Sequence, residues 1–350
     1  MSNNEKRVPW ETLSEFSRGI FVHAGMPPDD AQIETEVLIW ANLRGVDSHG
    51  VLRIPWYVES IDKGVMNPKP NIQVEKETPA TLLVEADRAL GPVVTNFAMA
   101  KAIEKAKKVG IGWSQIRNVT HQGAMGYYSQ MAVKSDMAGI AIACHPPNTA
   151  PYGARAAGVH NSPIAIAVPA QRHAPLSLDM ATSVAAGGKI SLAIDKGVPI
   201  PIGWALDKYG NPTTDPKQAV TFVPVGGPKG SGLSLMFECL TGVMVNNPLL
   251  EPVLMGQRPA SYHIQNSIVV AINIATFTDV QQYRDHIDNL IDGIKSLPRA
   301  EGFMEILVPG EPEERTYLER VKSGIPLPEG TISKLRVVAQ RFGIKLPAEM

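Results

Sequence analysis

The middle of the chain alternates short apolar segments with helical patterns, and this alternation limits the folds that the sequence can adopt. Segments of strand character, bounded by Gly and Pro, lie at residues 110–119, 139–144, 162–168, 176–178 and 267–274. Helical periodicity is found at residues 126–135, 182–194, 232–245 and 280–297. Strands that are spread along a chain and separated by helices are typical of an α/β protein. We therefore expect one mixed sheet with helices packed on it.

Both ends of the chain read as helical. Apolar residues recur at helical spacing over residues 10–43, with a break at Pro27 and Pro28, and again over residues 313–342. Residues 72–85 alternate like a strand pair, and residues 96–109 are helical. At 350 residues the chain has the length of about two domains. The predicted division is a helical domain of residues 1–70 plus 313–350 and a sheet domain of residues 71–312.

Charge and cysteine content narrow the classes of partner. The 33 basic and 34 acidic residues leave a formal net charge of -1, without the basic stripe of a nucleic-acid binder. Cys144 and Cys239 are too few for a disulfide framework or a cysteine metal site. The first ten residues, MSNNEKRVPW, lack an apolar signal, and no apolar run is long enough to span a membrane. We expect a cytoplasmic protein that binds a small molecule, with no nucleic-acid or membrane partner.

Residues 44–50 read RGVDSHG and place a titratable imidazole close to a fixed cation. His49 has the one side chain whose ordinary pKa lies in the physiological range, and the planar fork of Arg53 matches a carboxylate. Together they suit proton transfer on a small carboxylic acid. A turn glycine and a capping serine would explain the same residues without any chemistry. The motif alone leaves both interpretations open.

The position of Pro55 in its helix determines how the side chains of the 44–57 segment can come together. His49, Arg53 and Tyr57 would share one face of a straight helix at i, i+4 and i+8. Proline inside a helix removes a hydrogen bond and kinks it, whereas proline suits the first turn. Either the helix is kinked, or it begins near Pro55 and the three side chains meet through a turn.

Glycine-rich loops offer further candidate sites, although neither standard phosphate motif is present. Gly110 and Gly112 are followed by Gln115, where a Rossmann fingerprint needs a third glycine, and the segment continues as a strand. Residues 226–232 read GGPKGSG and do not fit a P-loop. Loops 121–126, 178–183 and 226–232 nevertheless each precede a helix, where backbone N–H groups can hold phosphate. Ordinary turn and capping chemistry is the alternative for each.

Taken together, these segments resemble the malate/L-lactate dehydrogenase family, which is distinct from the Rossmann-type lactate dehydrogenases. The resemblance covers most of the chain and rests on RGVDSHGVLRIPWY from Arg44, THQGAMGYY from Thr120, APYG from Ala150, LDMATS from Leu178, GWALDKYGNPTTDP from Gly203, GGPKGSGLSLM from Gly226 and LPRAEGFMEILVPGEPE from Leu297.

The resemblance implies a fold, a cofactor and an assembly. It implies an α/β protein with an unusual, non-Rossmann NAD(P)-binding domain on a mixed or antiparallel sheet, beside a helical domain formed by the N- and C-terminal segments. Relatives are similar in forming homodimers or assemblies of dimers. NAD or NADP is the implied cofactor.

The resemblance also assigns roles by position. His49 matches a general acid/base, His121 matches a second histidine that transfers the proton in some relatives, and Arg53 matches the residue that binds the substrate carboxylate. Ser48 and Tyr57 match neighbours that line the pocket. The implied dinucleotide contacts are His121, Gly123, Ala124, Asp179, Met180, Ala181, Thr182, Lys229, Gly310, Glu311 and Pro312.

Two departures from the family pattern bear on specificity. Residues 144–148 read CHPPN where many relatives have small polar residues, so His145 is a candidate third imidazole in the pocket. Gly187 and Gly188 precede Lys189 where relatives often have an arginine. A cation suited to the 2′-phosphate of NADP is therefore missing there, which favours NAD.

The expected activity is reversible hydride transfer between a nicotinamide and a small 2-oxo or 2-hydroxy acid of the malate or lactate type. The first alternative keeps the cofactor and reduces the C=N bond of a cyclic imino acid, such as piperideine- or pyrroline-2-carboxylate. The second is a dinucleotide sensor without catalysis. No metal site is expected, because the histidines form no H-x-x-x-H pattern and no clear cluster with carboxylates.

Overall fold

The computed structural model describes residues 6–257 and 263–350. Its strands are β1 (Lys6–Val8), β2 (Gln73–Glu77), β3 (Thr81–Glu85), β4 (Ile111–Val119), β5 (Met137–Cys144), β6 (Ile164–Val168), β7 (Leu176–Met180), β8 (Ala205–Leu206), β9 (Pro212–Thr213), β10 (Thr221–Phe222), β11 (Gln265–Asn273) and β12 (Ile325–Leu327). Its helices are α1 (Trp10–His23), α2 (Pro28–Leu43), α3 (Ile54–Asp62), α4 (Gly91–Val109), α5 (Met125–Val133), α6 (Gly187–Lys196), α7 (Pro228–Thr241), α8 (Glu251–Leu254), α9 (Val280–Lys295), α10 (Glu311–Ser323) and α11 (Glu329–Phe342).

A seven-stranded sheet forms the centre of the molecule, in the order β2-β3-β4-β11-β5-β6-β7. Strands β3 and β4 are parallel, and the other neighbours are antiparallel. The predicted α/β class with a mixed sheet is therefore confirmed. β11 lies between β4 and β5, and its first seven residues are buried. A late segment of the chain thus completes the middle of the sheet.

Helices α4 and α5 pack on the sheet where glycine allows a close approach. A Cβ added to Gly112 of β4 would lie 1.9 Å from the carbonyl oxygen of Ala102 in α4. A Cβ added to Gly139 of β5 would lie 2.1 Å from the carbonyl oxygen of Ser129 in α5. The two glycines therefore set how near the helices come to the strands.

The N- and C-terminal segments share one hydrophobic cluster. Leu13 and Ile20 of α1, Ile54 of α3 and Leu335 of α11 are all fully buried within it. β1 pairs antiparallel with β12, which fixes the two ends of the chain to each other. The helical pattern of the sequence does not reveal this strand pair.

The segment before α3 resolves the question raised by Pro55. Two short 3₁₀ turns, Asp47–His49 and Val51–Arg53, precede α3, and Pro55 lies in the first turn of that helix. Proline is well suited to this position because the first N–H groups of a helix have no intrahelical partner. Of the two alternatives left open by the sequence, the structure has the helix that begins near Pro55.

Element boundaries mostly agree with the sequence patterns, and the largest differences are at the starts of α4 and α6. Helix α4 was expected from residue 96 and begins at Gly91. Helix α6 was expected from residue 182 and begins at Gly187, because β7 extends to Met180 and Ser183 then bridges to Pro224. A small three-stranded sheet of order β10-β8-β9 was not anticipated. Within the described residues, none of the helices has the length and apolar character needed to cross a membrane.

Replacing Gly112 with alanine is expected to destabilise the fold, because the new methyl group would collide with the backbone of α4. Overpacking of this kind costs about 1–3 kcal/mol. Gly293 in α9 is the matched control, since a Cβ there meets nothing within 4 Å. Gly293→Ala should stabilise by about 0.5–1 kcal/mol, as expected for alanine in a helix interior. Urea unfolding midpoints measure both changes, and equal midpoints for the two variants would contradict the packing described here.

Candidate active site

A cavity of about 680 Å³ lies where the 44–53 segment faces the strand ends of the central sheet. The ends of β5 and β7, the start of β11 and the first residues of α5, α6 and α10 form its other walls. Pockets of about 300–1,000 Å³ are typical for small ligands and cofactors. The walls bring the N-terminal segment together with loops from the middle of the chain.

His49 and His121 lie side by side in this cavity. Their rings stack with centroids 5.4 Å apart and planes 17° from parallel. Nδ1 of His121 lies 2.6 Å from the Tyr57 hydroxyl oxygen and accepts a hydrogen bond of 3.3 Å from the backbone N–H of Gly123. Because a backbone N–H only donates, the neutral ring of His121 carries its proton on Nε2.

Arg53 brings a positive charge into the same cavity. Its Nε donates to the carbonyl oxygen of Ser48 at 2.7 Å, and its guanidinium carbon lies 5.6 Å from the centre of the Trp56 ring. The Ser48 hydroxyl in turn lies 2.9 Å from Nδ1 of His49. Among the described residues, Arg53 forms no ion pair with a carboxylate. Its charge is therefore available to an anionic ligand.

The surroundings of the two histidines favour their neutral forms. Burial lowers the pKa of His49 to about 4, and the positive charge of Arg53 adds to this effect. Burial also holds the pKa of His121 well below its usual range, with Arg53 and neighbouring imidazoles acting in the same direction. Burial raises the pKa of the Tyr57 hydroxyl, so it keeps its proton. The part of the cavity around Arg53 thus combines two neutral imidazoles, a neutral phenol and the guanidinium of Arg53.

Hydrogen bonds from outside the motif hold the 44–53 segment in place. The side chain of Asn42 donates to Asp47 at 2.6 Å and accepts from the backbone N–H of Val51 at 2.8 Å. Arg320 of α10 makes two hydrogen bonds to the Asp47 carboxylate, at 2.7 and 3.0 Å. A Cβ at Gly50 would lie 2.1 Å from the Asn42 amide oxygen. Asn42 and Arg320 were not expected from the sequence. Only Asn42 had a signal there, because it is a polar residue in an otherwise apolar stretch of α2.

Asp179 and Glu313 provide acidic groups at another part of the cavity wall. Asp179 accepts a hydrogen bond of 2.8 Å from the backbone N–H of Gly126. Although its side chain is accessible from the cavity, surrounding protein raises its pKa to about 6, and the nearby charge of Glu313 contributes to this rise. Glu313 was not among the expected site residues, because nothing in its sequence surroundings distinguishes it from other helix-surface glutamates.

The expected site residues divide into two groups. The cavity is lined by Ser48, His49, Arg53, His121, Gly123, Ala124, Asp179, Met180, Ala181 and Gly310. Tyr57 reaches it through His121. Thr182, Lys229, Glu311 and Pro312 are not on the cavity wall: Thr182 is buried, Lys229 is exposed at the start of α7, and Glu311 pairs with Lys295. Loop 226–232 therefore does not join the other two glycine loops within this chain.

Three more histidines also line the cavity. The rings of His145 and His160 lie 5.1 Å apart, and the ring of His263 lies 5.6 Å from that of Trp56. His145 is therefore in the pocket, as the CHPPN segment suggested. Despite these imidazoles, within residues 6–257 and 263–350 no group of three or more His, Cys, Asp or Glu side chains is arranged to hold a metal ion.

A neutral imidazole pair beside an available guanidinium defines a site that can bind a small organic anion and move a proton on it. Comparison with known proteins agrees with this class. The family model described as malate/L-lactate dehydrogenase matches residues 8–336. The chain therefore belongs to the malate/L-lactate dehydrogenase family, and it is an oxidoreductase.

Individual relatives cover almost the whole chain. The L-sulfolactate dehydrogenase of Methanocaldococcus jannaschii is 39% identical over 98% of this chain and 97% of its own. The ureidoglycolate dehydrogenase (NAD(+)) of Escherichia coli K12 is 30% identical over 92% of each chain. The structure of malate dehydrogenase from Pyrococcus horikoshii OT3 superposes with a TM-score of 0.89 and 34% identity, over 98% of this chain and 97% of that one. These relatives support a hydroxy acid as substrate and a nicotinamide cofactor.

Titration of the free protein should reveal the effect of Arg53 on His49. NMR of the imidazole protons is expected to show His49 titrating at about pH 4. In Arg53→Gln the pKa of His49 should rise, because a nearby positive charge no longer opposes protonation. Lys101→Gln removes a surface charge outside the cavity and should leave the titration of His49 as it is. A His49 that titrates at its ordinary value in the wild-type protein would contradict the burial described here.

Proposed function

We propose that this protein is an NAD(P)-dependent dehydrogenase that reversibly reduces a small 2-oxo acid to the 2-hydroxy acid. The observation that carries the proposal is Arg53, a guanidinium in a cavity beside two imidazoles without a carboxylate partner among the described residues. Leaving a charge unpaired in a partly buried site is costly unless a ligand pairs with it. A substrate carboxylate fits the planar fork of arginine with two parallel hydrogen bonds.

In this proposal His121 donates a hydrogen bond from Nε2 to the C2 oxygen of the substrate. Hydride addition to C2 turns this oxygen into an alkoxide, which takes the Nε2 proton of a His121 ring that was protonated from solvent when the substrate carboxylate paired with Arg53, so the ring returns to its neutral form. The Tyr57 hydroxyl, 2.6 Å from Nδ1, keeps its own proton and orients the ring. His49 stacks on this ring and is the second candidate for the proton transfer. General acid–base catalysis of this type contributes about 10²- to 10⁴-fold.

The cavity fits a dinucleotide cofactor by its size and by the groups on its walls. The first residues of α6, including Gly187, line the cavity, so the N-terminus of this helix can hold the pyrophosphate. At the start of α5, by contrast, the backbone N–H of Gly126 already binds the Asp179 carboxylate, and a Cβ on Gly126 would lie 2.9 Å from a carboxylate oxygen of that residue. When it is bound, the nicotinamide supplies or accepts the hydride.

The acidic groups of the cavity favour NAD over NADP in this proposal. Asp179 and Glu313 line the cavity together, and carboxylates suit ribose hydroxyls and repel an added phosphate. Of the other cations on the cavity wall, Arg44 is already paired with Glu314 at 2.8 Å, and the Lys189 ammonium lies 6.0 Å from the centre of the Trp204 ring. The homodimer and the cytoplasmic location implied by the resemblance, and the two-domain division, stay predictions.

A substrate panel with the wild-type protein and Arg53→Lys tests the proposed activity. The wild type should oxidise NADH with at least one 2-oxo acid among pyruvate, 2-oxobutyrate, oxaloacetate and 3-sulfopyruvate. Arg53→Lys should raise KM by about tenfold or more, because a point charge replaces a two-pronged contact. Its kcat should fall less.

Two outcomes would contradict the proposed reduction of a 2-oxo acid. Turnover of piperideine-2-carboxylate in place of every 2-oxo acid would support the imino-acid alternative. Binding of NADH without turnover of any substrate would support a sensor. Arg88→Lys is a matched control, because the side chain of this exposed arginine donates to the carbonyl oxygen of Gly64 at 2.7 Å and lies outside the cavity.

Replacement of Asp179 and Glu313 by their uncharged amides tests the preference for NAD over NADP. The wild type should use NADH more efficiently than NADPH. The double variant Asp179→Asn and Glu313→Gln should narrow that difference by about tenfold, because it removes two negative charges that would face a phosphate. Glu104→Gln, on the surface of α4, controls for a change in overall charge. An unchanged NADH to NADPH ratio in the double variant would contradict the assignment.

A further inference from the structure

A second pair of imidazoles in the cavity has no part in the proposed proton transfer. His145 directly follows β5, and His160 precedes β6. Because these neighbouring strands are antiparallel, the pair stands at the same end of both. The two rings are 5.1 Å apart and inclined at 39°. Both line the cavity, although His160 is only 8% exposed. Polar rings kept at this depth, on the wall of a ligand cavity, are candidates for binding the ligand.

Hydrogen bonds between two asparagines fix the loops that carry the pair. The side chain of Asn148 donates to Oδ1 of Asn161 at 2.9 Å, and the backbone N–H of Asn161 donates to Oδ1 of Asn148 at 2.9 Å. Nδ1 of His145 donates to the carbonyl oxygen of Pro146 at 3.0 Å, because a carbonyl oxygen only accepts. Nδ1 of His160 lies 3.4 Å from the Ser162 hydroxyl oxygen. The two rings are therefore held in position before any ligand binds.

The pair shares a cavity with the group proposed to transfer the proton. His145 and His160 line the same cavity as His121 and Arg53, and their imidazoles help to hold the pKa of His121 below its usual range. A substrate with its C1 carboxylate at Arg53 and its C2 oxygen at His121 has its third substituent left to contact the other walls of this cavity, and the pair stands on one of them.

We propose that His145 and His160 bind a second anionic group, a carboxylate or sulfonate on C3 of the substrate, and so select dianionic 2-oxo acids over those with an alkyl chain. This inference rests on the proposed function and specifies its substrate. An anion beside an imidazole favours the protonated ring and strengthens the contact. A permanent cation at the same buried place would be costly whenever the site is empty. The pair can therefore bind an anionic group by taking up a proton, and it carries no fixed charge when the site is empty.

Variants of both histidines, assayed on three substrates of similar size, test the inference. The measured quantity is kcat/KM with NADH for oxaloacetate, 3-sulfopyruvate and the uncharged-chain analogue 2-oxobutyrate. The wild type should prefer the two dianions. In His145→Leu and His160→Leu the ratio of kcat/KM for the preferred dianion to that for 2-oxobutyrate should fall by about tenfold or more, since hydrogen bonds to charged groups are lost. Comparison of oxaloacetate with 3-sulfopyruvate distinguishes a carboxylate from a sulfonate.

Glutamine variants and a distant histidine complete the design. His145→Gln and His160→Gln keep an N–H donor and should retain part of the preference, even if a leucine variant does not fold. His286→Asn changes an exposed histidine of α9 and should leave the ratio unchanged. A wild type that prefers 2-oxobutyrate, or a ratio that is unaltered in all four cavity variants, would overturn this inference and leave the proposed function standing. A wild type that reduces none of the three acids, and no other 2-oxo acid, would overturn both.

Discussion

The hydrogen bonds between Arg320 and Asp47 hold the 44–53 segment in place and also set which of its charges are paired. Asp47 lies close to Arg53 in sequence and lines the same cavity, so an ion pair between them would occupy the cation that the proposed substrate needs. The bidentate contact with Arg320, at 2.7 and 3.0 Å, occupies Asp47 instead. Arg320 also donates to the backbone carbonyl oxygen of Asn42, so α10 is fixed to the end of α2. A helix near the C-terminus therefore pairs with Asp47 and leaves Arg53 without a carboxylate partner among the described residues.

A second contact from α10 acts in the same way on Arg44. Its guanidinium pairs with Glu314 at 2.8 Å and lies over the ring of Trp40, 5.1 Å from the centroid. With Arg44 and Asp47 both paired, Arg53 is the cation of the 44–53 segment whose charge stays unneutralised among the described residues. Ion pairs of this kind add little stability when exposed, but they specify which charges remain for function. The distribution of charge in the site is thus set by residues more than 250 positions away in sequence.

The parts of the fold and site that the sequence predicted are those governed by local patterns. The strands near β4, β5 and β6 were found because apolar residues and glycines repeat locally, and Pro55 correctly marked a helix start. The pairing of β1 with β12, and the place of β11 in the middle of the sheet, depend on contacts between distant segments. Local periodicity contains no information on such pairings.

The same distinction applies to the site. His49, Arg53 and His121 were found because their residue types carry chemistry in recognisable motifs. Asn42, Arg320 and Glu313 were missed, since each looks like an ordinary helix residue until the fold brings it to the 44–53 segment or to the cavity. Lys229 was expected to contact the dinucleotide because a glycine loop before a helix resembles a phosphate site, and it lies outside the cavity of this chain, so its role stays a prediction.

The electrostatics of the cavity link substrate binding to proton transfer. In the free protein, burial and Arg53 together keep His49 and His121 neutral. A substrate carboxylate at Arg53 would compensate the positive charge that opposes protonation, so the pKa values of both imidazoles should rise on binding. Binding of the acid and readiness to exchange a proton would then be two consequences of one ion pair. In the proposed mechanism, a fixed cation beside buried histidines would make substrate binding itself raise the pKa of the acid–base group that acts on the substrate.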